Sequence, residues 1–192
     1  MGMSDLKEAK RQREGRNWCL FIDRDGVINT RIVDGYVRNW EEFNFIPGAL
    51  GALRTLARWA PHIVVVTNQQ GVGKSLMTAA ELDAIHDRML RAIAESGGRI
   101  DAIQACTHLA SAECDCRKPQ PGLAVAYLAA HPAIDGSLSI MVGDMPSDIE
   151  MGRRLAAATD DCFTVRIAQD LDLHADATFA SLADFASAID EA

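Results

Sequence analysis

The sequence lacks any long apolar run. No uninterrupted apolar stretch in its 192 residues approaches the roughly 20 residues that a membrane-spanning helix requires. The amino terminus also lacks the apolar segment that identifies a signal peptide. These two absences argue against a membrane protein or a secreted one, and we expect a cytoplasmic protein.

Positive charge is scarce as well. The chain has 19 Lys and Arg against 27 Asp and Glu, which gives a formal net charge of −8 and a pI of about 5.0. This balance argues against nonspecific binding to nucleic acid or to an anionic membrane surface. An anionic substrate would therefore need local positive charge, from a metal ion or from a few well-placed Lys and Arg side chains.

The cysteine content does not suit a disulfide framework. The five cysteines are odd in number, and three of them, Cys106, Cys114 and Cys116, lie close together in the sequence. Such a cluster indicates metal binding in a reducing compartment rather than disulfide pairing.

The chain does contain enough apolar sequence for one core. With 48% hydrophobic residues in 20.8 kDa, it has the size of one compact domain. Residues 1–16 are mostly charged and show no apolar pattern, so we expect a flexible tail or a short solvated helix there. Residues 17–192 are then predicted to form the single domain, and we expect a monomer.

Short apolar segments alternate with amphipathic segments along residues 17–192. Buried strands are predicted at residues 18–22, 63–66, 100–105, 138–142 and 162–167, with a short edge strand near the end. Helices are predicted at residues 48–59, 78–96, 122–130, 148–158 and from about 182 onward. Thr78 and Glu81 have the capping-box spacing at a helix start. Residues 28–45 predict an ordered loop or a small hairpin over the site. The alternation indicates an α/β fold with a doubly wound, mostly parallel sheet.

Two acids follow the first predicted strand. Asp23 and Asp25 lie just beyond its carboxyl end, at the edge of an open α/β sheet where ligands bind. One carboxylate at such an edge can act as a nucleophile or metal ligand, and the other as a proton shuttle. An isolated Asp-x-Asp is equally typical of an acidic turn, so the prediction depends on the residues at the ends of the other strands.

Polar residues also follow the second predicted strand. The side chains of Thr67 and Asn68 can donate hydrogen bonds to phosphate oxygens, as can backbone N–H groups in the glycine-bearing turn that follows them. That turn, TNQQGVGK, lacks the first glycine of a P-loop, which argues against that class of nucleotide hydrolase. A Thr-Asn pair after a strand is, by itself, usually only a turn.

Lys118 and Asp144 lie in the two remaining motifs. The segment from Arg117 to Lys118 offers a compact cation suited to the charge of a transferring phosphoryl group. Asp144 follows the fourth predicted strand, at the same sheet edge as Asp23. Two carboxylates and a backbone carbonyl form an oxygen site suited to Mg²⁺. Asp148 fits either a buried supporting acid or a helix N-cap.

These four motifs, in this order and each at a strand end, resemble those of the haloacid dehalogenase superfamily of phosphohydrolases. The resemblance covers about residues 18–166 and implies a Rossmann-like fold. It implies that Asp23 is the nucleophile, which forms an aspartyl-phosphate, and that Asp25 is the general acid and base. Mg²⁺ would be bound by Asp23, Asp144 and the backbone carbonyl of Asp25. Substrate phosphate would be held by Thr67, Asn68 and Lys118, with Gln69 and Arg117 as further substrate-binding residues.

A second set of metal ligands precedes Lys118. It consists of Cys106, His108, Cys114 and Cys116. Three thiolates and an imidazole form a complete tetrahedral set for structural Zn²⁺, with no position left for water. Zinc bound here would clamp the loop 106–116, which delivers Arg117 and Lys118. Buried free cysteines are the less favoured alternative.

This zinc loop and the four motifs together resemble one branch of the superfamily, which contains heptose 1,7-bisphosphate 7-phosphatases and histidinol-phosphate phosphatases. The branch has a minimal cap. The segments INTRIVDGYV, FNFIPGAL and TNQQGVGKSLMT are similar to the heptose enzymes, whereas the short zinc-loop spacer is similar to the histidinol enzymes. Met145 also departs from a lysine often found in the heptose enzymes. We expect a small phosphorylated metabolite, D-glycero-D-manno-heptose 1,7-bisphosphate, as substrate. Histidinol phosphate is the alternative, and a catalytically silent binding protein is the alternative of another class.

The residues near the motifs suit both substrates. A second sugar phosphate requires further cations, and the candidates are Arg31, Arg38, Lys74 and Arg117. The ammonium group of histidinol phosphate requires a carboxylate or an aromatic face, and the candidates are Asp34, Glu41 and Tyr36.

Overall fold

A six-stranded parallel sheet organises the molecule. The computed structural model describes residues 3–191, and for residues 3–5 the backbone alone. The strands are β1 (Cys19–Ile22), β2 (His62–Asn68), β3 (Ala102–Cys106), β4 (Ile140–Gly143), β5 (Phe163–Ile167) and β6 (Ala177–Phe179). Their spatial order is β3-β2-β1-β4-β5-β6, and all neighbouring pairs are parallel. β1 thus lies between β2 and β4, where the strand order reverses and ligands bind in such sheets.

Helices cover both faces of the sheet. Within residues 3–191 they are α1 (Met3–Arg13), α2 (Ala49–Trp59), α3 (Gln70–Gly73), α4 (Ala79–Glu95), α5 (Gly122–Ala130), α6 (Pro146–Thr159) and α7 (Leu182–Glu191). Short 3-10 turns occur at Trp40–Glu42, Ala110–Ala112 and Gly136–Leu138. None of the helices in this part of the chain is both long enough and apolar enough to cross a membrane. The predicted doubly wound α/β fold is confirmed.

The side chains of β1 divide the core between the two sheet faces. Leu20 and Ile22 belong to a buried cluster with residues of α2, α4 and α7. Cys19 and Phe21 belong to a second cluster with residues of α5 and α6. All four side chains are fully buried, which explains why the strand is apolar without alternation. Side chains on both faces of the sheet therefore pack against β1 and fix the position of its end.

The predicted start of the long helix is confirmed in its hydrogen bonds. The side chain of Thr78 accepts a hydrogen bond from the backbone N–H of Glu81, and the Glu81 carboxylate accepts one from the backbone N–H of Thr78. The helix ends just before Gly97, whose φ of 81° is one that residues with a side chain rarely adopt. α2, α5 and α6 also lie within two residues of their predicted bounds.

The amino-terminal segment differs from its prediction. In place of a flexible tail or solvated helix, residues 3–13 form α1, which packs on the rest of the chain. Leu6 and Ala9 are buried, and the guanidinium of Arg13 donates hydrogen bonds to the carbonyls of Leu138 and Ser139. These contacts offset the entropy lost by ordering the segment. One of the inward positions is an arginine, so the apolar pattern was too weak to predict the packing.

Residues 28–45 form the predicted ordered loop. Asn29 and Phe45 pair as an isolated antiparallel bridge, and the N–H of Thr30 donates to the carbonyl of Asn44. The rings of Trp40 and Phe43 stack 5.0 Å apart at the turn of the loop. The loop contributes side chains to a cavity at the carboxyl ends of the strands.

Candidate active site

The carboxyl ends of β1, β2 and β4 bring the predicted site residues together. Asp23 follows β1, and its N–H donates to the carbonyl of Val142 on β4 at 2.9 Å. Thr67 and Asn68 are the last residues of β2 itself, and Asp144 follows β4. A cavity of about 440 Å³ opens at this edge. Its wall includes all the predicted catalytic and substrate-binding side chains: Asp23, Asp25, Thr67, Asn68, Gln69, Arg117 and Lys118.

Lys118 is buried between two carboxylates. Its Nζ lies 2.7 Å from Oδ1 of Asp23 and 2.7 Å from Oδ1 of Asp148, and the side chain is 3% exposed. Burial alone would lower the pKa of Lys118, but the charges of Asp148 and Asp23 raise it, so the group is a fixed cation. Burial raises the pKa of Asp23, against the opposing charge of Lys118. An anionic group bound next to Asp23 would therefore meet a positive charge already in place.

Of the two roles that the sequence left open, Asp148 has that of a buried supporting acid; the N-cap of α6 is Met145, and Asp148 is the third residue of the helix. Its Oδ2 accepts a hydrogen bond from the N–H of Met145 at 2.9 Å, at the start of α6, while Oδ1 pairs with Lys118. The side chain is fully buried. A Cβ on Gly143 would lie 2.2 Å from the Cβ of Asp148, so only glycine lets this helix start come so close to β4.

Asp144 completes a group of three carboxylates. One oxygen from each of Asp23, Asp144 and Asp148 lies within 4.8 Å of the others. Oδ1 of Asp144 is buried and has no hydrogen-bond partner among the described residues. Burial and the charge of Asp148 raise the pKa of Asp144 to about 6. Lys118 and Arg31, the latter 3.6 Å from Asp144, offset only part of the crowded negative charge. This set of oxygen donors fits Mg²⁺.

Asp25 is held by a network of hydrogen bonds. Nη2 of Arg24 lies 2.9 Å from Oδ1 and 2.8 Å from Oδ2 of Asp25. Asn29 donates to Oδ1 at 2.9 Å, and Gln69 donates to Oδ2 at 2.8 Å. Burial alone would raise the pKa of Asp25, but Arg24 and the other donors hold it below its ordinary value. The carboxylate is thus restrained in one orientation facing the cavity.

Arg24 and His86 are residues of this site that the sequence analysis missed, as is Asn29. Arg24 is fully buried, and its Nη1 lies 3.1 Å from Nε2 of His86 on α4. Burial and the charge of Arg24 lower the pKa of His86 to about 4, so a neutral imidazole faces the guanidinium. Only the position of Arg24 between the two acids could have drawn attention to it. A lone histidine on a helix carries no such signal.

Asn68 and Gln69 contact protein groups in this structure. The amide of Asn68 donates to the carbonyl of Lys118 at 3.1 Å, and its Oδ1 accepts from the N–H of Lys118 at 3.0 Å. Nε2 of Gln69 donates to Oγ1 of Thr67 at 2.9 Å as well as to Asp25. Both side chains therefore position other residues of the site. Their direct contact with a substrate phosphate stays a prediction.

Three further cations line the cavity. They are Arg31 and Lys74, whose Nζ lies 5.2 Å from the ring centre of Tyr36, and Arg117 next to Lys118. Asp34 and Tyr36 line the same cavity. Arg38 and Glu41 do not belong to this wall; Arg38 instead pairs with Glu42 at 2.9 Å. The wall therefore contains three cations besides Lys118, together with the carboxylate of Asp34.

The four predicted zinc ligands converge in the loop after β3. Sγ of Cys106 lies 3.1 Å from Sγ of Cys116 and 3.6 Å from Sγ of Cys114, and Nδ1 of His108 lies 3.2 Å from Sγ of Cys116. One donor atom from each residue lies within 4.8 Å of the other three. The cluster can therefore hold a tetrahedral zinc ion.

The zinc loop is joined to the catalytic edge through β2 and α3. The N–H of Gln69 donates to the carbonyl of Cys106 at 2.7 Å. A Cβ on Gly73 would lie 2.5 Å from the carbonyl oxygen of Thr107, so α3 and the zinc loop are in close backbone contact. Displacement of the loop would therefore disturb the segment that contains Gln69.

The four motifs meet at the switch point of a parallel sheet, and this places the protein in the haloacid dehalogenase class of phosphatases. The predicted class is confirmed. The chain belongs to the family described as Polynucleotide kinase 3 phosphatase, whose model matches residues 21–186. Within that class, its similarity to curated relatives places it in the heptose-1,7-bisphosphate 7-phosphatase family.

Two relatives and one solved structure illustrate this similarity. The D-glycero-alpha-D-manno-heptose-1,7-bisphosphate 7-phosphatase of Mycobacterium tuberculosis is 49% identical, over 94% of this chain and 96% of the relative. The D-glycero-beta-D-manno-heptose-1,7-bisphosphate 7-phosphatase of Escherichia coli O6:H1 is 36% identical, over 89% and 93%. The crystal structure of D,D-heptose 1,7-bisphosphate phosphatase from B. bronchiseptica, complexed with magnesium and phosphate, has a TM-score of 0.78 and 32% identity, over 91% of this chain and 99% of that one.

Proposed function

We propose that the protein removes the 7-phosphate of D-glycero-α-D-manno-heptose 1,7-bisphosphate in a Mg²⁺-dependent hydrolysis. The observation that carries this proposal is the composition of the cavity wall. The acids Asp23 and Asp25 and the cation Lys118 suffice for one phosphate, and Arg31, Lys74 and Arg117 provide charge for a second. A sugar bisphosphate matches this distribution.

In the first step, an oxygen of Asp23 attacks the phosphorus of the 7-phosphate in line with the ester oxygen. A bond forms between Asp23 and phosphorus, the bond from phosphorus to the sugar oxygen breaks, and Asp25 gives its proton to the departing alkoxide. Lys118 lies beside Asp23 and holds an oxygen of the transferring phosphoryl group. The product is an aspartyl-phosphate and a heptose 1-phosphate.

In the second step, water attacks the phosphorus of the aspartyl-phosphate. Asp25, now ionised, accepts a proton from this water, inorganic phosphate leaves, and Asp23 is regenerated. The hydrogen bonds from Arg24, Asn29 and Gln69 keep the Asp25 carboxylate in place for both proton transfers. Their effect on the pKa of Asp25 favours its role as base in this step, and its role as acid in the first step requires the minor, protonated form.

The two metal sites have different tasks. Mg²⁺ would be held by Asp23, Asp144 and the backbone carbonyl of Asp25, and when bound it offsets the repulsion between an anionic nucleophile and an anionic substrate. Zn²⁺ would be held by the Cys/His cluster of the 106–116 loop, which has no open position for substrate. It would keep Arg117 and Lys118 at the cavity wall.

The α anomer is favoured by the pattern of similarity. The relative named for the α anomer is 49% identical over nearly the whole chain, whereas relatives named for the β anomer are 34% to 41% identical. The chain has a net charge of −8, and the cations proposed to bind substrate are confined to the cavity wall. Both features suit a small metabolite rather than nucleic acid. Residues 17–192, with α1 packed against them, would act as one phosphatase domain in a cytoplasmic monomer.

The experiment is phosphate release with Mg²⁺ from the α and β anomers of heptose 1,7-bisphosphate, heptose 7-phosphate and histidinol phosphate. We expect a preference of about 100-fold in kcat/KM for the α bisphosphate over histidinol phosphate, equivalent to about 2.7 kcal/mol. Higher kcat/KM for histidinol phosphate would refute the proposal.

A variant of Arg117 tests the proposed contact with the second phosphate, the 1-phosphate of the sugar. Arg117→Met should lower kcat/KM for the bisphosphate by about 10-fold or more and change that for heptose 7-phosphate less, because the lost ion pair involves only the 1-phosphate. The matched control is Arg38→Met, because Arg38 lies outside the cavity wall. Equal losses on both substrates would place Arg117 at the reacting phosphate instead.

A further inference from the structure

A second cavity lies at the opposite edge of the sheet from the active site. It measures about 850 Å³ and is formed by α1, the residues just before β1, the end of α2 with residues 60–61 just before β2, and Arg99 before β3. Because the strands are parallel, their amino ends share one edge, and the catalytic residues share the other. Nothing in the proposed phosphatase mechanism uses this cavity.

The wall of this cavity is strongly basic. Seven cationic side chains and one carboxylate, that of Glu14, line it. The cations are Lys7, Lys10, Arg11, Arg13, Arg16, Arg58 and Arg99. They are a large share of the 19 Lys and Arg in a chain whose net charge is −8. The cavity therefore concentrates positive charge that the remaining surface lacks.

Three of these cations have no carboxylate as partner among the described side chains. Nζ of Lys10 donates to the carbonyl of Ile189 at 2.7 Å. Arg13, 3% exposed, donates only to backbone carbonyls, including those of Ala9 and Leu138 at 2.7 Å. Lys7 is exposed and forms no ion pair in this part of the chain. Carbonyls supply hydrogen-bond acceptors but no net charge, so no ion pair among the described residues neutralises these three cations, although the charge of Asp161 acts on Arg13.

The other four cations have acidic partners that an anion could replace. Arg16 pairs with Asp135 at 2.9 Å and Arg58 with Asp190 at 3.8 Å, both with more than half of the arginine side chain exposed. Exposed ion pairs contribute about 0–1 kcal/mol, so their exchange for a phosphate costs little. The carboxyl ends of α1 and α2 also favour cations at this place. Each helix end carries only about half a negative charge, which is too little to neutralise the cations of the cavity.

An aromatic surface adjoins the cations. Trp59, half-buried at the end of α2, lines the cavity together with Pro61 and Ala57. One part of the Trp59 ring packs against Trp18, at 4.7 Å between ring centres, and another against Phe185 at 6.3 Å. The ring is therefore held rigidly, which suits contact with a flat ligand group.

We propose that this cavity binds a small ligand with an oligophosphate chain, at a site separate from the catalytic one. The phosphate chain would contact Lys7 and Lys10 and the exchangeable Arg16 and Arg58, while the buried Arg13 adds positive charge behind them. Inorganic oligophosphate and the phosphate chain of a nucleotide share this chemistry, and the presence of Trp59 allows the experiment to separate them.

The test is calorimetric titration of the full chain with inorganic tripolyphosphate, and separately with ATP and GTP. The titrations use Asp23→Asn protein, because the exchange of this nucleophile prevents turnover of the ligands. We expect saturable binding at moderate salt. Equal affinities for all three ligands would assign recognition to the phosphate chain alone, and tighter binding of the nucleotides, lost in Trp59→Leu, would assign a contact to the base. Both results support the site.

A pair of matched variants locates the binding. The cavity variant combines Lys7→Gln, Arg16→Gln and Arg58→Gln in the Asp23→Asn protein. It lacks three exposed cations of the cavity, and it should bind tripolyphosphate at least about 30-fold more weakly. The control variant combines Arg54→Gln, Arg88→Gln and Arg91→Gln in the same protein. These three arginines are also exposed, and their loss changes the net charge equally, so tripolyphosphate should bind as tightly as to the Asp23→Asn protein.

Three results would overturn the proposal. Undiminished binding in the cavity variant would place the ligand outside this cavity. Equal losses in both triple variants would show an effect of net charge. Tight binding of a single-stranded oligonucleotide that tripolyphosphate does not displace would show a nucleic-acid surface instead of a small-ligand site.

Discussion

The acid cluster and the zinc cluster are two metal-binding arrangements built in opposite ways. Asp23 follows β1, whereas Asp144 and Asp148 follow β4 more than a hundred residues later, and the three meet because β1 and β4 are neighbours. The four zinc ligands come from one loop, 106–116. The first lies beside Lys118 and the proposed substrate cavity. The second has one buried ligand, Cys106, three ligands that are partly or fully exposed, and a complete tetrahedral set.

The surroundings of each cluster indicate whether a bound metal ion would be catalytic or structural. The acid cluster lies beside a cavity whose cations attract phosphate, and it includes the proposed nucleophile. The zinc cluster closes the loop that leads directly to Arg117 and Lys118, and it has no ligand in the cavity wall; its other contacts with the site are backbone contacts near Gln69 and Gly73. Loss of the first should therefore abolish chemistry, and loss of the second should lower stability.

The largest expected effect is that of Asp23→Asn. Phosphate release should fall by about 10⁴-fold or more, because an amide cannot form the phosphoenzyme. The fold should persist, since Lys118 keeps Asp148 as a partner. Steady-state phosphate release and the melting temperature are the measurements, with Asp170→Asn, an exposed acid, as control. Turnover at the wild-type rate would exclude Asp23 as the nucleophile.

Asp144→Asn should have the next largest effect. The crowded carboxylates lose one charge and one metal ligand, so kcat/KM should fall by about 100-fold and half-saturation should require more Mg²⁺. The measurement is activity against Mg²⁺ concentration, with zinc content determined on the same sample. An unchanged Mg²⁺ dependence would mean that Asp144 is not a ligand, and the contrast between the two clusters would then fail.

Arg24→Lys should have a smaller effect, specific to proton transfer. A lysine cannot contact both oxygens of Asp25 and His86 at once, so kcat should fall by about 10-fold with little change in KM. The loss should shrink with p-nitrophenyl phosphate, whose leaving group needs no proton. Arg88→Lys, exposed on α4, is the control. A loss of equal size on both substrates would indicate a merely structural role for Arg24.

Cys114→Ser should have the smallest effect on chemistry. Zinc content should drop, and the melting temperature should fall by roughly 4–8 °C for about 2 kcal/mol of lost stability, while kcat changes by less than about 5-fold. Elemental analysis, thermal unfolding and activity are measured together. Cys162→Ala, a buried cysteine outside the cluster, should keep its zinc. A zinc-free variant with unchanged melting temperature would contradict a structural site.

The fold was largely predictable because its signals are local. The central strands β1, β2 and β4 contain short apolar runs, and helix starts such as Thr78 with Glu81 satisfy backbone groups within one turn. The site was predictable to the extent that its residues lie directly after strands, as Asp23 and Asp144 do. The roles of Asn68 and Gln69 were less predictable. Both were predicted to bind substrate, whereas in the structure their side chains form hydrogen bonds to Lys118 and Asp25.

By itself, the sequence determined the alternation of strands and helices, the acids at the strand ends and the four zinc ligands, because spacing along the chain defines each of these features. Only the tertiary structure decided the contact of Arg24 with His86, the packing of α1 and the basic cavity beside it. Those features depend on which elements the sheet order brings together. Residues far apart in sequence leave no periodic signal of such contacts.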